Sequence, residues 1–333
     1  MEELKVFLSH GEGGKATHRF IRELFLPYLG NKIINKMEDA ALLSLGNSKF
    51  ALSTDAFVIE PIIFPGGNIG KLAVSGTVND LASMGAKPLW FLSTFIIEEG
   101  LDIKVLEKIV RSFSDTLNSV SAILVAADTK VVPRGQAGGG IYISTAGIGK
   151  IVIDSTPENI VPGDEIVISG DIARHSAAIL AAREKLETHP PLVSDCAPLW
   201  NIVELAMNSG IEIHAMRDPT RGGLATVCVE ISESTGLGME IYENSIPINP
   251  QVSKLCDIYG FDPLYLANEG KMLFFVRKGE GEKLVKVLHN HPLGKYAAVI
   301  GKVVEEKDVI LHTKTGGKRK LIMLEGAQLP RIC

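Results

Sequence analysis

The chain has 333 residues, of which 46% are hydrophobic and 22% are charged, as expected for a globular protein with about two domains. Its formal net charge of -5 argues against binding to bulk nucleic acid or to an anionic membrane surface. The longest apolar runs, such as residues 89–97, are too short to span a bilayer, and residues 1–5 contain no apolar signal core. These features predict a cytoplasmic protein.

The first half of the chain alternates strand and helix signals. Gly46 and Asn47 form a favourable turn pair between two apolar segments, which predicts a strand pair. Apolar residues recur every four positions from Leu101 to Leu117, which predicts an amphipathic helix. The predicted strands are residues 40–45, 49–59, 122–127 and 140–151, and the predicted helices are residues 71–84 and 101–117.

The second half repeats this style, and a stretch marked by Pro and Gly at residues 156–163 indicates a domain boundary. Strand pairs with tight turns, mixed with helices, favour two α+β domains. We expect these domains at residues 1–155 and 156–308, with a terminal hairpin and a mobile tail at residues 309–333. The predicted strands are residues 165–169, 211–216, 238–242, 272–276, 309–313 and 320–324, and the predicted helices are residues 172–186, 199–209, 224–234 and 280–290.

Four aspartates, Asp39, Asp55, Asp80 and Asp128, lie at the ends of predicted elements or inside a helix, where Asp is a poor filler. Mg²⁺ prefers oxygen ligands, commonly a few carboxylates together with nucleotide phosphates. An ordinary cap or turn explains each aspartate taken singly. The set of four predicts a magnesium site.

Three polar loops have the composition of binding or catalytic sites. The Gly-rich loop at residues 9–15 ends in Lys15 and suits a phosphate or a lid, although its spacing is not that of a Walker A loop and a flexible terminus explains it equally well. The loop at residues 217–223 follows a strand and precedes a helix, a geometry that aims Arg221 at an anion, although a plain strand-to-helix turn explains its Gly pair equally well. Glu269 lies between two apolar strands, where a simple hairpin turn is almost as good an explanation.

The four Cys residues fall into two groups. Cys196, Cys228 and Cys256 are widely spaced without a C-x-x-C pattern, so we expect reduced, buried side chains and neither a disulfide nor a zinc site. Cys333 ends a Pro-containing tail, where a thiol is exposed and reactive. It is either an accidental surface residue or a thiol on which a site performs chemistry.

The histidines offer weaker signals. We expect His175, near a predicted helix start, to be a surface or cap residue. His289 and His291 are expected to mark the frayed end of a helix rather than a metal site.

Eight segments taken together resemble the HypE family of hydrogenase maturation factors, which belongs to the PurM-like ATP-binding superfamily. They span nearly the whole chain in the family's order, and the terminal Pro-Arg-Ile-Cys separates this branch from its relatives. The matching segments are residues 9–15, 38–40, 53–55, 76–82, 128–130, 217–223, 268–271 and 330–333.

The resemblance implies a two-domain PurM-like α+β fold, similar to AIR synthetase, in which the N-terminal sheets of two subunits form a barrel in a homodimer. It also implies a flexible C-terminal tail and an ATP-dependent dehydration of an S-carboxamide on Cys333 to a thiocyanate. This cyanide is destined for the iron of nickel–iron hydrogenase. The carboxamide would come from the carbamoyltransferase HypF, and the cyanide would pass to a HypC–HypD complex.

The resemblance further implies roles for single residues. Cys333 would carry the reacting group, and Glu269 and Lys130 are the candidate bases, Lys130 only if its pKa were lowered. Nine residues from Glu325 to Cys333 extend roughly 30 Å, which is enough for the tail to reach a site. The implied ATP-binding residues are Lys15, Thr54, Asp55, Thr77, Asn79, Asp80, Asp128, Thr129, Asp218 and Arg221, and the implied Mg²⁺ ligands are Asp39, Asp55, Asp80 and Asp128.

Two other functions stay open at this point. Another superfamily kinase or synthetase with a small-molecule substrate, such as selenophosphate synthetase or thiamine-phosphate kinase, leaves Cys333 unexplained. The selenium enzyme would also be expected to carry Cys or selenocysteine in the Gly-rich loop, whereas the first Cys here is Cys196. A non-catalytic scaffold that binds partners through its tail leaves the four aspartates unexplained.

Overall fold

The computed structural model describes residues 5–137, 139–326 and 328–329, so the predictions for Cys333 lie outside the described residues. Two mixed sheets, each covered by helices, confirm the expectation of two α+β domains. Among the described residues, the helices are all too short or too polar to cross a membrane.

The first domain is an open five-stranded sheet with the strand order β1-β2-β7-β5-β6. Strands β5 and β6 are parallel and are joined by the crossover helix α4, whereas the other neighbours pair antiparallel. Two further strands, β3 and β4, form a separate small ribbon. The strands are β1 (Ala41–Leu45), β2 (Ser48–Phe57), β3 (Ile63–Phe64), β4 (Gly67–Asn68), β5 (Ala86–Glu98), β6 (Ile123–Val132) and β7 (Ile141–Ile151), and the helices are α1 (Lys15–Phe20), α2 (Leu26–Leu29), α3 (Ile69–Ser83) and α4 (Ile103–Ser119).

Helices α3 and α4 cover one face of this sheet. The four-residue spacing predicted a buried stripe on α4, and Ile109, Phe113 and Leu117 form it. Helix α3 is buried along nearly its whole length, because it lies between the sheet and the second domain. Its first amides are capped by the side chain of Asn68.

The second domain is a seven-stranded sheet with the strand order β14-β13-β10-β12-β8-β11-β9. The terminal hairpin, expected to stand apart from residue 309 onward, is part of this sheet, because β13 pairs parallel with β10. The strands are β8 (Glu165–Ile168), β9 (Ile213–Arg217), β10 (Gly238–Tyr242), β11 (Leu273–Val276), β12 (Ala298–Val304), β13 (Val309–His312) and β14 (Lys318–Lys320), and the helices are α5 (Arg174–Arg183), α6 (Trp200–Met207), α7 (Gly223–Thr235), α8 (Pro250–Tyr259) and α9 (Gly281–Leu288).

Several elements were not predicted, among them β5, β12, α8 and the N-terminal helices. Strand β5 is the clearest case, because it contains Pro88, a residue that is rare inside strands. The structure places Pro88 next to a register shift in the pairing of β5 with β7, where a residue without an N–H is tolerated. Because of this proline, the sequence pattern did not predict the 13-residue strand.

The described end of the chain is anchored. The side chain of Gln328 accepts a hydrogen bond from the amide of Asp262 at 2.9 Å and donates one to its carbonyl at 3.0 Å. Leu329 is buried. Within the predicted mobile tail, the described residues Gln328 and Leu329 are thus held in place in this conformation.

His214 on the edge strand β9 lies between two acids. Its Nδ1 is 2.7 Å from Oδ2 of the buried Asp164, and its Nε2 is 3.1 Å from Oε1 of Glu212. Burial disfavours the charged ring, but the hydrogen bonds to Asp164 and Glu212 outweigh burial and raise the pKa of His214. Protonated His214 therefore stabilises the fold.

We expect the free energy of unfolding to contain a contribution from His214 that is fully present below about pH 6.5 and is lost as the pH rises through the raised pKa of the folded state. Urea denaturation of the wild type and of His214→Gln, repeated across this pH range, measures it. The difference between the two proteins should shrink with rising pH. A difference that is independent of pH would contradict this assignment.

Candidate active site

A cavity of 270 Å³ lies where the two domains meet. Asp39 enters it from the segment before β1, Asp55 from β2, and Asp80 from α3. Asp218 and Glu269 enter from the second domain, Asp218 just after β9 and Glu269 shortly before β11. Together with Glu230 of α7, these acids place six carboxylates from separated parts of the chain in one small space.

Three of these carboxylates form a tight cluster. Asp39, Asp80 and Asp218 each offer an oxygen, and the three oxygens lie within 4.8 Å of one another. Serines orient two of them, because Ser53 donates to Asp80 and Ser83 donates to Asp39 at 2.9 Å. Such a set of oxygen donors at converging positions fits a divalent cation.

Burial and nearby negative charges raise the pKa of five carboxyl groups that line the cavity, those of Asp39, Asp55, Asp80, Asp218 and Glu269. Burial is the largest cause for Asp80, whose pKa is raised well above its usual value, and the charges of Asp55, Asp218 and Asp39 add to it. The pKa of Asp218 is also raised well above its usual value, by burial and then by Asp39. The pKa values of Asp39 and Asp55 are raised mainly by burial. The cavity therefore gains stability from any bound cation.

Unmatched polar atoms support the same conclusion. Within the described parts of the chain, Oδ2 of Asp218 and Oε1 of Glu269 are buried without a hydrogen-bond partner. A buried acceptor without a donor is costly unless a ligand, ion or water satisfies it. The donor set and these two atoms therefore fit Mg²⁺ or a comparable hard cation, with Asp39, Asp80 and Asp218 as its protein ligands.

A chain of charged contacts links the cluster to the N-terminal helix. Arg217 is half-buried, and its Nε lies 2.9 Å from Oδ1 of Asp39, while its Nη2 lies 3.6 Å from Oε2 of Glu230. Oε1 of Glu230 in turn lies 2.9 Å from Nε2 of His18. Neither Glu230 nor His18 was predicted, although Glu230 is the lone charge in the apolar run 224–231 of α7, which is an available signal.

The Gly-rich loop closes over the cavity. Gly13 has a φ of +76°, and a Cβ there would lie 3.0 Å from Cβ of Arg221. Nη1 of Arg221 donates to the carbonyl of Gly11 at 3.2 Å. Thr17 and Gly13 both line the cavity. This placement agrees with the predicted lid, and Arg221 joins the lid to the second domain.

Other predicted residues lie elsewhere. Lys15 lines a neighbouring cavity of 410 Å³ rather than the carboxylate cavity, and its amide donates to the carbonyl of Leu324 at 2.8 Å. Thr77 and Asn79 are fully buried, and Thr77 contacts Oγ1 of Thr145 at 2.6 Å. Neither of these two side chains faces the cavity, whereas the exposed Thr54 lines it.

Asp128, Thr129 and Lys130 are also separated from the cavity. They lie on the exposed edge strand β6, with β5 and β7 between them and β2, which carries Asp55. Within one chain, the prediction that four aspartates converge therefore fails for Asp128. Asp218 occupies the third position of the cluster instead, because β9 ends beside α3.

Two expectations about minor residues have opposite outcomes. Cys196, Cys228 and Cys256 are buried free thiols, as predicted. The prediction that His175 lies at the surface is wrong, because its side chain is fully buried and its Nδ1 lies 2.7 Å from Oγ of Ser194. The start of α5 packs against the first domain, which a sequence pattern does not reveal.

Two models of known protein families match most of this chain. The N-terminal domain model of AIR synthase related proteins matches residues 37–151, and the C-terminal domain model matches residues 161–314. The fold and the carboxylate cavity thus define a two-domain protein of the AIR synthase related class. A solved structure of thiamine monophosphate kinase from Aquifex aeolicus, with a TM-score of 0.68 at 18% identity, shares this fold.

More similar relatives narrow the class. Carbamoyl dehydratase HypE of Cupriavidus necator is 41% identical over 99% of this chain and 95% of its own length. HypE of Escherichia coli K12 is 41% identical and covers 98% of both chains. A solved structure of HypE in complex with ATP has a TM-score of 0.82 and 41% identity, and the match covers 99% of this chain and 100% of that chain. A solved HypE–HypF complex has a TM-score of 0.86 and 42% identity, and the match covers 92% of this chain and 99% of that chain. The chain belongs to the HypE family of carbamoyl dehydratases.

We expect Asp218→Asn to raise the melting temperature of the metal-free protein by about 2 °C or more, because Asn removes a charge from the crowded cluster. The raised pKa of Asp218 means that its ionisation opposes folding above about pH 4. The same change should abolish stabilisation by added Mg²⁺. Thermal unfolding with and without Mg²⁺ tests both effects, and Asp115→Asn on the exposed face of α4 is the matched control. Equal Mg²⁺ stabilisation of wild type and Asp218→Asn would remove Asp218 from the cation site.

Proposed function

We propose that this protein is an ATP-dependent carbamoyl dehydratase that converts the S-carboxamide of its own Cys333 to S-cyanocysteine for hydrogenase maturation. The observation that carries the proposal is the carboxylate cluster of Asp39, Asp80 and Asp218 beside the buried Glu269. Phosphoryl transfer needs charge neutralisation and positioning, and this cavity supplies acids for a cation and an arginine for an anion. Membership of the HypE family of carbamoyl dehydratases supports the S-carboxamide as the substrate.

The two ends of the cavity suit different parts of the reaction. Asp39, Asp80 and Asp218 would hold Mg²⁺, which neutralises phosphate charge when bound, and Asp55 lies next to them. Arg221 and the Gly-rich loop would face the phosphates of ATP. A relative of this family has been solved in complex with ATP, which supports ATP as the nucleotide.

The chemistry balances with these groups. The carboxamide oxygen accepts the γ-phosphoryl group and ADP leaves. The C–O bond then breaks as phosphate departs, and the nitrogen loses two protons to form the C≡N bond. Burial, then the charges of Asp218 and Asp195, raise the pKa of Glu269 well above its usual value, so its carboxylate is a strong base once ionised. Glu269 is therefore the proposed proton acceptor.

A second copy of the chain would complete the site. Asp128, Thr129 and Lys130 lie too far along the sheet to reach the cavity of their own chain, but they are exposed on the outer strand β6. The same strand exposes Ile123, Val125 and Val131, which favours a covered edge. In the proposed homodimer, the two open sheets form a barrel and each β6 serves the partner's cavity.

The tail must dock for the reaction and leave for delivery. From the anchor at Leu329, four residues reach about 14 Å, so more distant movement requires release of Gln328 from Asp262. We propose that HypF supplies the carbamoyl group, since a relative forms a HypE–HypF complex. A HypC–HypD complex is the proposed cyanide acceptor, and the reaction would take place in the cytoplasm.

Intact-mass measurement tests the reaction. After carbamoylation by the donor system, the adduct on Cys333 should lose about the mass of one water only when ATP and Mg²⁺ are present. Cys333→Ala should bind ATP normally and give no cyanated product, and Cys256→Ala is the control thiol variant. ATP turnover without carbamoylation would favour a small-molecule kinase, and the absence of any turnover would favour a scaffold.

Subunit complementation tests the shared site. Asp80→Ala and Lys130→Ala should each be inactive, but mixed subunits should regain about a quarter of wild-type activity, because half of the dimers then hold one intact site. A mixture of Asp80→Ala with Asp39→Ala should stay inactive, since both changes affect the same cavity. Failure of the first mixture to regain activity, with heterodimers demonstrated, would place Lys130 outside the partner's site.

A further inference from the structure

A buried segment, residues 194–199, connects the two sides of the carboxylate cavity. It precedes α6, and all of its residues except Pro198 are buried. The amide of Ser194 donates to the carbonyl of Pro65 in the first domain at 2.8 Å. A Cβ on Gly66 would lie 2.8 Å from the carbonyl oxygen of Ser194, so the two backbones meet directly. We call residues 194–199 the brace segment.

Asn79 attaches the brace segment to helix α3. Its Oδ1 accepts a hydrogen bond from the amide of Leu199 at 2.8 Å, and its Nδ2 donates to the carbonyl of Ala197 at 3.3 Å. Asn79 is fully buried and is the immediate neighbour of Asp80. Both polar ends of this amide are therefore committed to holding α3 at a fixed position relative to the brace segment.

The same segment holds Glu269 from the other side. The amide of Ala197 donates to the carbonyl of Glu269 at 3.1 Å, and the amide of Glu269 donates to Oδ1 of Asp195 at 3.3 Å. A Cβ on Gly270 would lie 1.9 Å from the carbonyl oxygen of Asp195, which only glycine permits. Ala197 thus contacts Asn79 with its carbonyl and Glu269 with its amide.

A buried ion pair locks this arrangement. Nζ of Lys271 lies 3.1 Å from Oδ2 of Asp195, and both side chains are at most 5% exposed. The Lys271 ammonium and His175 hold the pKa of Asp195 below its usual value in spite of burial, so Asp195 is a carboxylate. Lys271 also lies 3.9 Å from Asp171, which is paired with Arg174. Removing one partner would leave a buried charge without compensation.

We propose that Asn79, Asp195 and Lys271 are positioning residues that fix Glu269 relative to Asp80 across the domain junction. The proposal rests on the proposed function, because it concerns the distance between the proton acceptor and the cation ligands. It also gives Asn79 a different role from the predicted contact with ATP. A displacement of about 1 Å between such groups lowers a rate by about 100-fold.

Two asparagines of the same helix provide the matched test. Asn79→Ala should lower kcat for cyanation by about 10- to 100-fold and leave the Kd for Mg-ATP within about twofold of wild type. Asn68→Ala removes the N-cap of α3, so it destabilises the fold without touching the brace segment. It should leave kcat unchanged. Equal kcat values for both variants at temperatures where both are folded would overturn the proposal.

The ion pair is tested in parallel. Lys271→Met should lower kcat as Asn79→Ala does, and Lys271→Arg should recover most of it. Hydrogen exchange gives a readout that does not depend on activity: the amide of Glu269 should exchange faster in Asn79→Ala and Lys271→Met but not in Asn68→Ala. If the amide of Glu269 exchanges at the wild-type rate in Asn79→Ala and Lys271→Met, the proposed positioning role is overturned. Absence of cyanated product in the wild type, with this exchange pattern present, rejects the proposed function alone.

Discussion

The crowding of buried carboxylates at the junction of the two domains is the constraint on which the rest of this structure depends. Asp39, Asp80 and Asp218 approach within 4.8 Å, and their raised pKa values show that the protein alone does not balance their charge. Such a cluster is unfavourable in the empty protein and favourable once a cation binds. The cluster therefore lowers the stability of the cation-free protein and favours the binding of a cation.

The protein surrounds this cluster with rigid supports. Serines of the first domain orient Asp80 and Asp39, Arg217 contacts Asp39 from the second domain, and the brace segment links the two domains through Asn79 and Ala197. Because Arg217 and the brace segment contact both domains, movement of one domain would break several contacts together. The positions of these acids are thus set by contacts within the protein itself.

The Gly-rich loop and the base of the C-terminal tail are attached to this centre at few points. The Gly-rich loop contacts Arg221, and the amides of Lys15 and Ala16 donate to the carbonyls of Leu324 and Glu325 at the base of the tail. The residues that follow the Gly-rich loop and the base of the tail are therefore in direct contact. Backbone hydrogen bonds and the side chain of Gln328 hold the last described residues, and the proposed docking of Cys333 would require their release.

Much of the fold and the identity of the chemical groups could be predicted from the sequence, because turn pairs, helical periodicity and polar loops are local signals. The helix at α4, the strands β8 and β10 and the acids Asp39, Asp55 and Asp80 were found in this way. Only the tertiary structure decided which residues meet. It brought Asp218 to the cluster, placed Asp128 and Lys130 on an outer edge and turned Asn79 inward, because the pairing of strands and the contact of two domains set these distances and no local pattern encodes them.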